Sequence, residues 1–181
     1  MFWSRVTGPL ARRRRADDRG AAAVEFALTV VPLLMIVFGV IHFGFAMAQK
    51  ASLNSSVRTG ARYGSVNLYN STADPHSCAK TVTRAKDGIT TLGMSASAVR
   101  FKVYRGADQT SALAAPSPLC DESTSASSPA GLKPPCQGGT DSDNLYVVAS
   151  YTSNLLGVPF TGISKTINFQ SVGAYRCEYT S

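Results

Sequence analysis

The most extended feature of the chain is an apolar run over residues 21–49. Residues 26–41 carry no ionisable side chain, and the run shows no polar stripe at a period of 3.6 residues. A helix that is apolar on every side is buried either in protein or in lipid. A bilayer core requires about 20 apolar residues. The pattern therefore predicts a transmembrane helix over residues 21–49.

After the apolar run, the pattern becomes that of an amphipathic helix that continues to about Tyr63. Its polar face recurs every four residues and consists of Lys50, Asn54, Arg58 and Arg62. Its apolar face narrows to small residues and consists of Leu53, Val57, Gly60, Ala61 and Gly64. Small residues favour the close approach of another element. We therefore expect a long helix whose second half supports an outer domain.

Residues 50–181 are predicted to form an α+β domain. A second helix begins near Cys78 and ends by Gly93, and residues 99–104 alternate as a half-buried strand. Further strands are predicted at 145–152 and 167–177, with Gly173 as a candidate bulge or twist. Residues 106–144, rich in Ser, Pro, Ala and Gly, are predicted to form a long loop. This order predicts an antiparallel sheet of three or more strands with a helix packed on one side.

The charge distribution gives the chain an orientation. Net charge is +7, but residues 1–19 alone hold six arginines against Asp17 and Asp18. The cations that follow the apolar run are fewer and more widely spaced. The positive-inside rule therefore places residues 1–20 in the cytoplasm as a basic leader and residues 50–181 outside it. A secretory signal peptide is the competing interpretation, since residues 46–48 resemble a cleavage site, but the apolar run is longer than a signal core and contains Glu25.

All four cysteines lie in the predicted outer domain, which indicates two disulfides in an oxidising compartment. Cys78 lies on the apolar face of the second helix, and Cys177 shares the buried parity of the last strand. A helix packed on a sheet can bring such positions within bridging distance. Of the three possible pairings we therefore favour Cys78–Cys177, with Cys120–Cys136 closing the long loop.

The junction before the apolar run carries a more specific pattern. It reads Arg-Gly-Ala-Ala-Ala-Val-Glu-Phe-Ala-Leu over residues 19–28, so a glutamate follows Gly20 by five positions. This junction resembles the processing site of type IV prepilins. Together with Pro32, the pair Phe43-Gly44 and residues 59–64, it resembles the TadE-like family, the pseudopilins or minor pilins of the tight-adherence (Tad, or Flp) pilus. The resemblance covers about residues 19–64, with a weaker echo in residues 147–151, Pro159 and residues 176–178.

The resemblance implies cleavage between Gly20 and Ala21 by a prepilin peptidase. It also implies that Glu25 and Phe26 act in assembly, with the Glu25 carboxylate pairing with the new ammonium group at Ala21 of a neighbouring subunit. The implied partners are the membrane, the peptidase, and the pilin and pseudopilin subunits of the machinery, with the mature protein at the cell surface or in the pilus. The alternative interpretation of Glu25 is a side chain that extends to the lipid headgroups.

Other functional classes find less support in the sequence. No nucleophile elbow, zinc-binding helix motif or phosphate-binding loop is present, so we expect no catalytic residues, no metal and no cofactor. The basic charge is partly a terminal cluster and is not interleaved with aromatic residues, which argues against a nucleic-acid partner. The remaining alternatives are an uncleaved single-pass protein with an extracytoplasmic binding module and, with less support, an anchored enzyme.

Overall fold

The computed structural model describes residues 11–66, 76–89, 94–123, 133–155 and 165–178. Its helices are α1 (Ala11–Ser65), α2 (Cys78–Asp87) and α3 (Gln109–Leu113), with one 3₁₀ turn at Ala96–Ala98. Its strands are β1 (Arg100–Gly106), β2 (Cys120–Asp121), β3 (Asn144–Leu155) and β4 (Lys165–Arg176). The chain divides into two compact units, one ending at Phe43 and one beginning at Gly44.

The first unit contains the apolar part of α1. Most of its large apolar side chains are exposed, among them Phe26 and Phe43, which are 67% and 68% accessible. By length and composition, Gly20–Ser65 contains one helix that is able to cross a membrane. Exposed apolar surface on this scale is unfavourable in water and favourable in lipid. The apolar helix and its continuation past residue 49 agree with the sequence prediction.

The second unit is an α+β domain, as predicted. Its four strands form an antiparallel sheet in the order β2-β1-β3-β4. Phe101 and Val103 on β1 pair with Ala149 and Val147 on β3, so their side chains share one face of the sheet. The shared core contains those residues and the buried side chains of the two longer helices, among them Leu53, Val57, Ala61, Val82 and Ala85. The buried and exposed faces predicted for residues 50–64 are confirmed by these contacts.

Glycines allow the backbones in this core to approach closely. A Cβ atom at Gly60 would lie 2.7 Å from Cβ of Ala85, and one at Gly64 would lie 2.6 Å from Cδ2 of Leu145. A Cβ atom at Gly173 would collide with the Val57 carbonyl group, because α1 crosses β4 at this position. The predicted bulge at Gly173 is wrong, since the β3–β4 register continues through it unbroken. Side-chain size at Gly173 is limited by helix packing.

The two disulfides are Cys78–Cys120 and Cys136–Cys177, with Cα separations of 6.1 and 5.7 Å. The predicted pairing, Cys78–Cys177 with Cys120–Cys136, is therefore wrong. Cys120 lies on β2 at one edge of the sheet, and Cys177 directly follows β4 at the other edge. Adjacent strands are about 4.8 Å apart, so the three strand spacings between β2 and β4 exceed the Cα separation of roughly 4.4–6.8 Å that a disulfide allows. A cysteine beside β2 therefore cannot reach Cys177. Cys78 begins α2 beside β2 and pairs with the cysteine at its own edge.

The segment predicted as a long loop contains local structure. It includes α3 and β2, and Ala112 of α3 packs against the position of a Cβ atom at Gly106. Residues 133–139 are held by Arg105, which donates to the carbonyl oxygens of Pro135 and Gln137 at 3.1 and 2.7 Å. The Cys78 amide donates to the Lys133 carbonyl oxygen at 3.0 Å. This segment therefore joins the start of α2 to the end of β4 through the Cys136–Cys177 bridge.

Some predictions concern residues that the structure does not describe. The predicted end of the second helix at Gly93 lies outside the described residues, as does Pro159 of the C-terminal resemblance. Within them, α2 ends at Asp87, and Gly88 takes the C-cap position.

Candidate functional site

Gly20 and Ala21 lie within α1, on the exposed surface of the first unit. A Cβ atom added at Gly20 would have no heavy atom within 4 Å. The glycine is therefore not required by packing against any described residue. A larger side chain fits at this position among the described residues, so packing against them gives no reason for a glycine.

Glu25 and Phe26 follow on the same helix, and both are exposed. Thr29 Oγ1 lies 3.2 Å from the Glu25 carbonyl oxygen and 3.0 Å from that of Phe26, so its hydrogen-bonding capacity is used within the helix. In the described part of the chain no side chain forms a hydrogen bond or ion pair with the Glu25 carboxylate. A carboxylate in an apolar environment is costly unless it is paired. The group is therefore available for a partner from outside the chain.

Pro32 removes one backbone donor from this part of α1. Proline has no N–H group, so the carbonyl of Leu28, four residues earlier, loses its usual intrahelical partner. A shallow apolar groove lies here, lined by Ala23, Val24, Ala27, Leu28, Val31 and Pro32. Small side chains and a free carbonyl group are features that allow another helix to approach in lipid.

The later part of α1 presents a different surface. Lys50, Arg58 and Arg62 are exposed on one side, while Leu53 and Val57 are buried on the other. Beside the cations lies a row of small exposed side chains, Ala51, Ser55 and Thr59. Asn54 lies on the same polar face and accepts a hydrogen bond from the buried Ser171 of β4, so this face meets the sheet between Lys50 and Arg58.

The remaining side chains that could react or bind a metal are the two histidines and the four cysteines. The ring of His76 stacks on Tyr63 at a centroid distance of 4.0 Å, and its Nδ1 atom lies 2.7 Å from the Tyr63 carbonyl oxygen. His42 lies within the apolar stretch. All four cysteines are in disulfides, so none is a free nucleophile. Among the described residues, no group of three or more His, Cys, Asp or Glu side chains is placed to hold a metal ion.

Residues 20–62 match the family model described as TadE-like protein. Over this segment the chain is similar to the TadE-like family. The match begins at the glycine of the processing pattern and ends within the last turn of α1. Comparison with curated proteins and with solved structures gave no match.

The TadE-like segment includes Gly20, Ala21, Glu25 and Phe26, together with the exposed cations of α1. This likeness indicates a protein associated with Tad pili, and the apolar helix within it supports association with a membrane. The weaker C-terminal resemblance lies outside the matched residues and stays a prediction. The arrangement of the second unit, including its disulfides, is seen in the structure and lies largely outside the matched residues.

Proposed function

We propose that the chain is a pseudopilin or minor pilin, a membrane-anchored structural or assembly subunit of a Tad pilus. Its leader is removed by a prepilin peptidase between Gly20 and Ala21, and it acts as a subunit and not as an enzyme. The observation that carries this proposal is the match to the TadE-like family, which begins at Gly20. The open surroundings of Gly20 support it, because a peptidase needs access to the bond that it cuts.

The proposed orientation places residues 1–20 in the cytoplasm and the second unit outside. The arginine-rich leader supports this direction through the positive-inside rule. The pairing of every cysteine supports it as well, since disulfides persist mainly in oxidising compartments. The four native cysteines are buried in disulfides, so the orientation is tested with Ser142→Cys, at an exposed position of the second unit. A membrane-impermeant thiol reagent applied to intact cells is expected to label this cysteine. Protection in intact cells together with labelling after lysis would contradict the orientation.

The decisive experiment maps the mature N-terminus by mass spectrometry in membrane and sheared-surface fractions. We expect the wild-type chain to begin at Ala21. Gly20→Leu is expected to retain residues 1–20, because the peptidase is expected to require a small residue at this position. Gly39→Leu is the matched control, since Gly39 lies in the same helix and a Cβ atom there also meets nothing within 4 Å. This control is expected to be cleaved normally.

A wild-type chain that keeps its leader in cells with assembled pili would favour the uncleaved single-pass alternative. Cleavage of Gly20→Leu at the normal bond would contradict only the requirement for glycine. Either result is obtained without ambiguity about folding, because neither glycine is packed against the described chain.

Glu25 is proposed to act after cleavage. The new ammonium group at Ala21 of one subunit would pair with the Glu25 carboxylate of its neighbour, which has no partner among the described residues of its own chain. Glu25→Gln removes the charge and is easier to insert into lipid, so we expect normal insertion, normal cleavage and reduced incorporation into pili. Glu178→Gln, at an exposed carboxylate of the outer domain, is the control. Wild-type incorporation of Glu25→Gln would rule out the pairing.

A further inference from the structure

The exposed face of α1 beyond residue 49 has a pronounced charge asymmetry. Lys50, Arg58 and Arg62 lie at positions i, i+8 and i+12, and the sequence contains no Asp or Glu between Glu25 and Asp74. In the described part of the chain, no carboxylate forms an ion pair with any of these three cations. They form a line about 18 Å long at ~1.5 Å per residue. We call this line the basic row.

A second row lies beside the first and is formed by Ala51, Ser55 and Thr59, all exposed. None of these side chains is large, and Thr59 Oγ1 donates to the Ser55 carbonyl oxygen at 3.0 Å, so its hydroxyl group is already hydrogen-bonded. Small side chains allow two helices to approach to about 8 Å between axes. This surface therefore suits a helix that lies along the small row and points acidic side chains at the basic row.

We propose that this face docks an acidic helix of a different protein. The proposal deepens the assembly role given above and rests on it. The partner would carry two or three carboxylates at a spacing of four or eight residues on one face, so that each meets a cation of the basic row. Charge complementarity of this kind determines the choice of partner and the register more than the total affinity.

A second copy of this chain is a poor occupant of the surface. In the described residues from Gly44 onward, the only helical carboxylate is Asp87. Several other carboxylates already have partners, since Asp108 accepts from the Ser111 amide, and Glu122 and Asp143 form ion pairs with Arg100 and Arg105. Within these residues, a second copy therefore offers no helical face with spaced carboxylates.

An anionic lipid surface is also a poor occupant. Helices that lie on lipid headgroups combine cations with large apolar side chains on the adjoining face. Here the exposed side chains between the cations are Ala51, Asn54, Ser55 and Thr59, which offer little apolar area. The neighbouring large apolar residues Leu53 and Val57 are buried in the core of the domain.

The test uses the full-length protein in the membranes of the cells that produce it. A photo-crosslinking amino acid replaces Ser55, which lies in the small row between the cations. We expect one adduct with a different protein, whose crosslinked peptide is mapped by mass spectrometry to a helix with spaced carboxylates. Arg58→Glu with Arg62→Glu is expected to lower the adduct yield about tenfold, because two exposed attractions become repulsions.

Two controls make the charge effect specific. Lys102→Glu with Lys133→Glu makes the same change in net charge at exposed cations outside the basic row, and is expected to leave the yield unchanged. Lysines placed at the mapped carboxylates of the partner are expected to restore the adduct with the Arg58→Glu and Arg62→Glu chain. All of these positions are exposed, and intact disulfides in each variant check the fold.

Several results would overturn the proposal. They are an adduct between two copies of this chain, an adduct only with lipid, no protein adduct, or a yield that does not respond to reversal of the basic row. The mature N-terminus and the pilus are measured in the same cells. If the chain is cleaved and incorporated but any of these results is found, only the docking surface is wrong. If the chain is not cleaved or incorporated, the proposed function itself fails.

Discussion

Leu33 and Leu53 are the same residue type in the same helix, yet their surroundings are opposite. Leu33 is 59% accessible in the first unit, whereas Leu53 has no accessible surface in the second. The first unit has no apolar core of its own among its described residues. Its exposed apolar side chains are suited to a lipid environment. The second unit buries its side chains against its own sheet.

The sequences of the two regions differ in how strongly they indicate a family and a structure. The family likeness covers the helix from Gly20 to Arg62 and ends before the sheet begins. A transmembrane helix must be about 20 residues long and mostly apolar, and both properties are visible directly in the sequence. A small domain can satisfy packing with many different side chains, so its sequence carries a weaker signal.

The largest expected effect comes from the disulfides, which stabilise only the second unit. The bridges close loops with sequence separations of 42 and 41 residues, so each contributes about 4 kcal/mol in the chain-entropy model. Replacing Cys136 and Cys177 by serine is expected to unfold the domain at a much lower denaturant concentration. Hydrogen exchange of the full chain in detergent should change in peptides after Gly44. Equal loss of protection in residues 20–43 would contradict the independence of the two regions.

The two leucines provide the next test. Leu53→Ala removes a fully buried side chain and is expected to destabilise the domain by about 3 kcal/mol. Leu33→Ala is the matched control and is expected to leave the unfolding of the domain unchanged. Thermal unfolding of both variants in detergent, followed by near-ultraviolet circular dichroism, measures the difference. Similar midpoints for the two variants would mean that Leu53 is not a core residue.

Arg105 is expected to have a smaller effect, about 2 kcal/mol for Arg105→Met, because several charge-assisted hydrogen bonds to residues 135–138 are lost. The Arg105 side chain is only 20% accessible and also lies 3.6 Å from the Asp143 carboxylate. Arg100→Met removes an exposed ion pair with Glu122 and is expected to cost less than about 0.5 kcal/mol. Limited proteolysis after Lys133 should increase only in the first variant. Equal cleavage in both would show that Arg105 does not fix this segment.

The smallest effect concerns acid sensitivity at α3. The backbone amide of Ser111 donates to Asp108 and lowers the pKa of this carboxyl group below its usual value, with the Ser111 hydroxyl group as a second cause. Because the folded pKa is lower, the contribution of Asp108 is present above its unfolded pKa and is lost as the pH falls through the folded value. NMR titration should show a low midpoint at Asp108. Asp108→Asn is expected to abolish the pH dependence of the Ser111 amide signal.

The helical half of the fold was predictable because its signals are local. The apolar run, the polar face of residues 50–62 and the small residues at Gly60 and Gly64 all depend on spacing within one helix. The three longer strands were also predictable from alternation, with ends that differ by a few residues.

The disulfide pairing was not predictable, because it depends on the order of strands in the sheet. The helix periodicity placed Cys78 on a buried face, and strand alternation did the same for Cys177. Neither pattern revealed β2, a two-residue strand that places Cys120 at the edge of the sheet opposite β4. The role of Gly173 was missed for a similar reason. A glycine inside a strand signals a bulge or a close contact, and only the position of α1 distinguishes them.

The order of the disulfides along the chain has a consequence for biogenesis. Each bridge joins neighbouring cysteines in the sequence, first Cys78 with Cys120 and then Cys136 with Cys177. A chain that enters an oxidising compartment from its N-terminal side presents its thiols in this same order. An oxidase that acts on each new pair of thiols as it emerges would produce the native bridges directly, with no shuffling step by an isomerase.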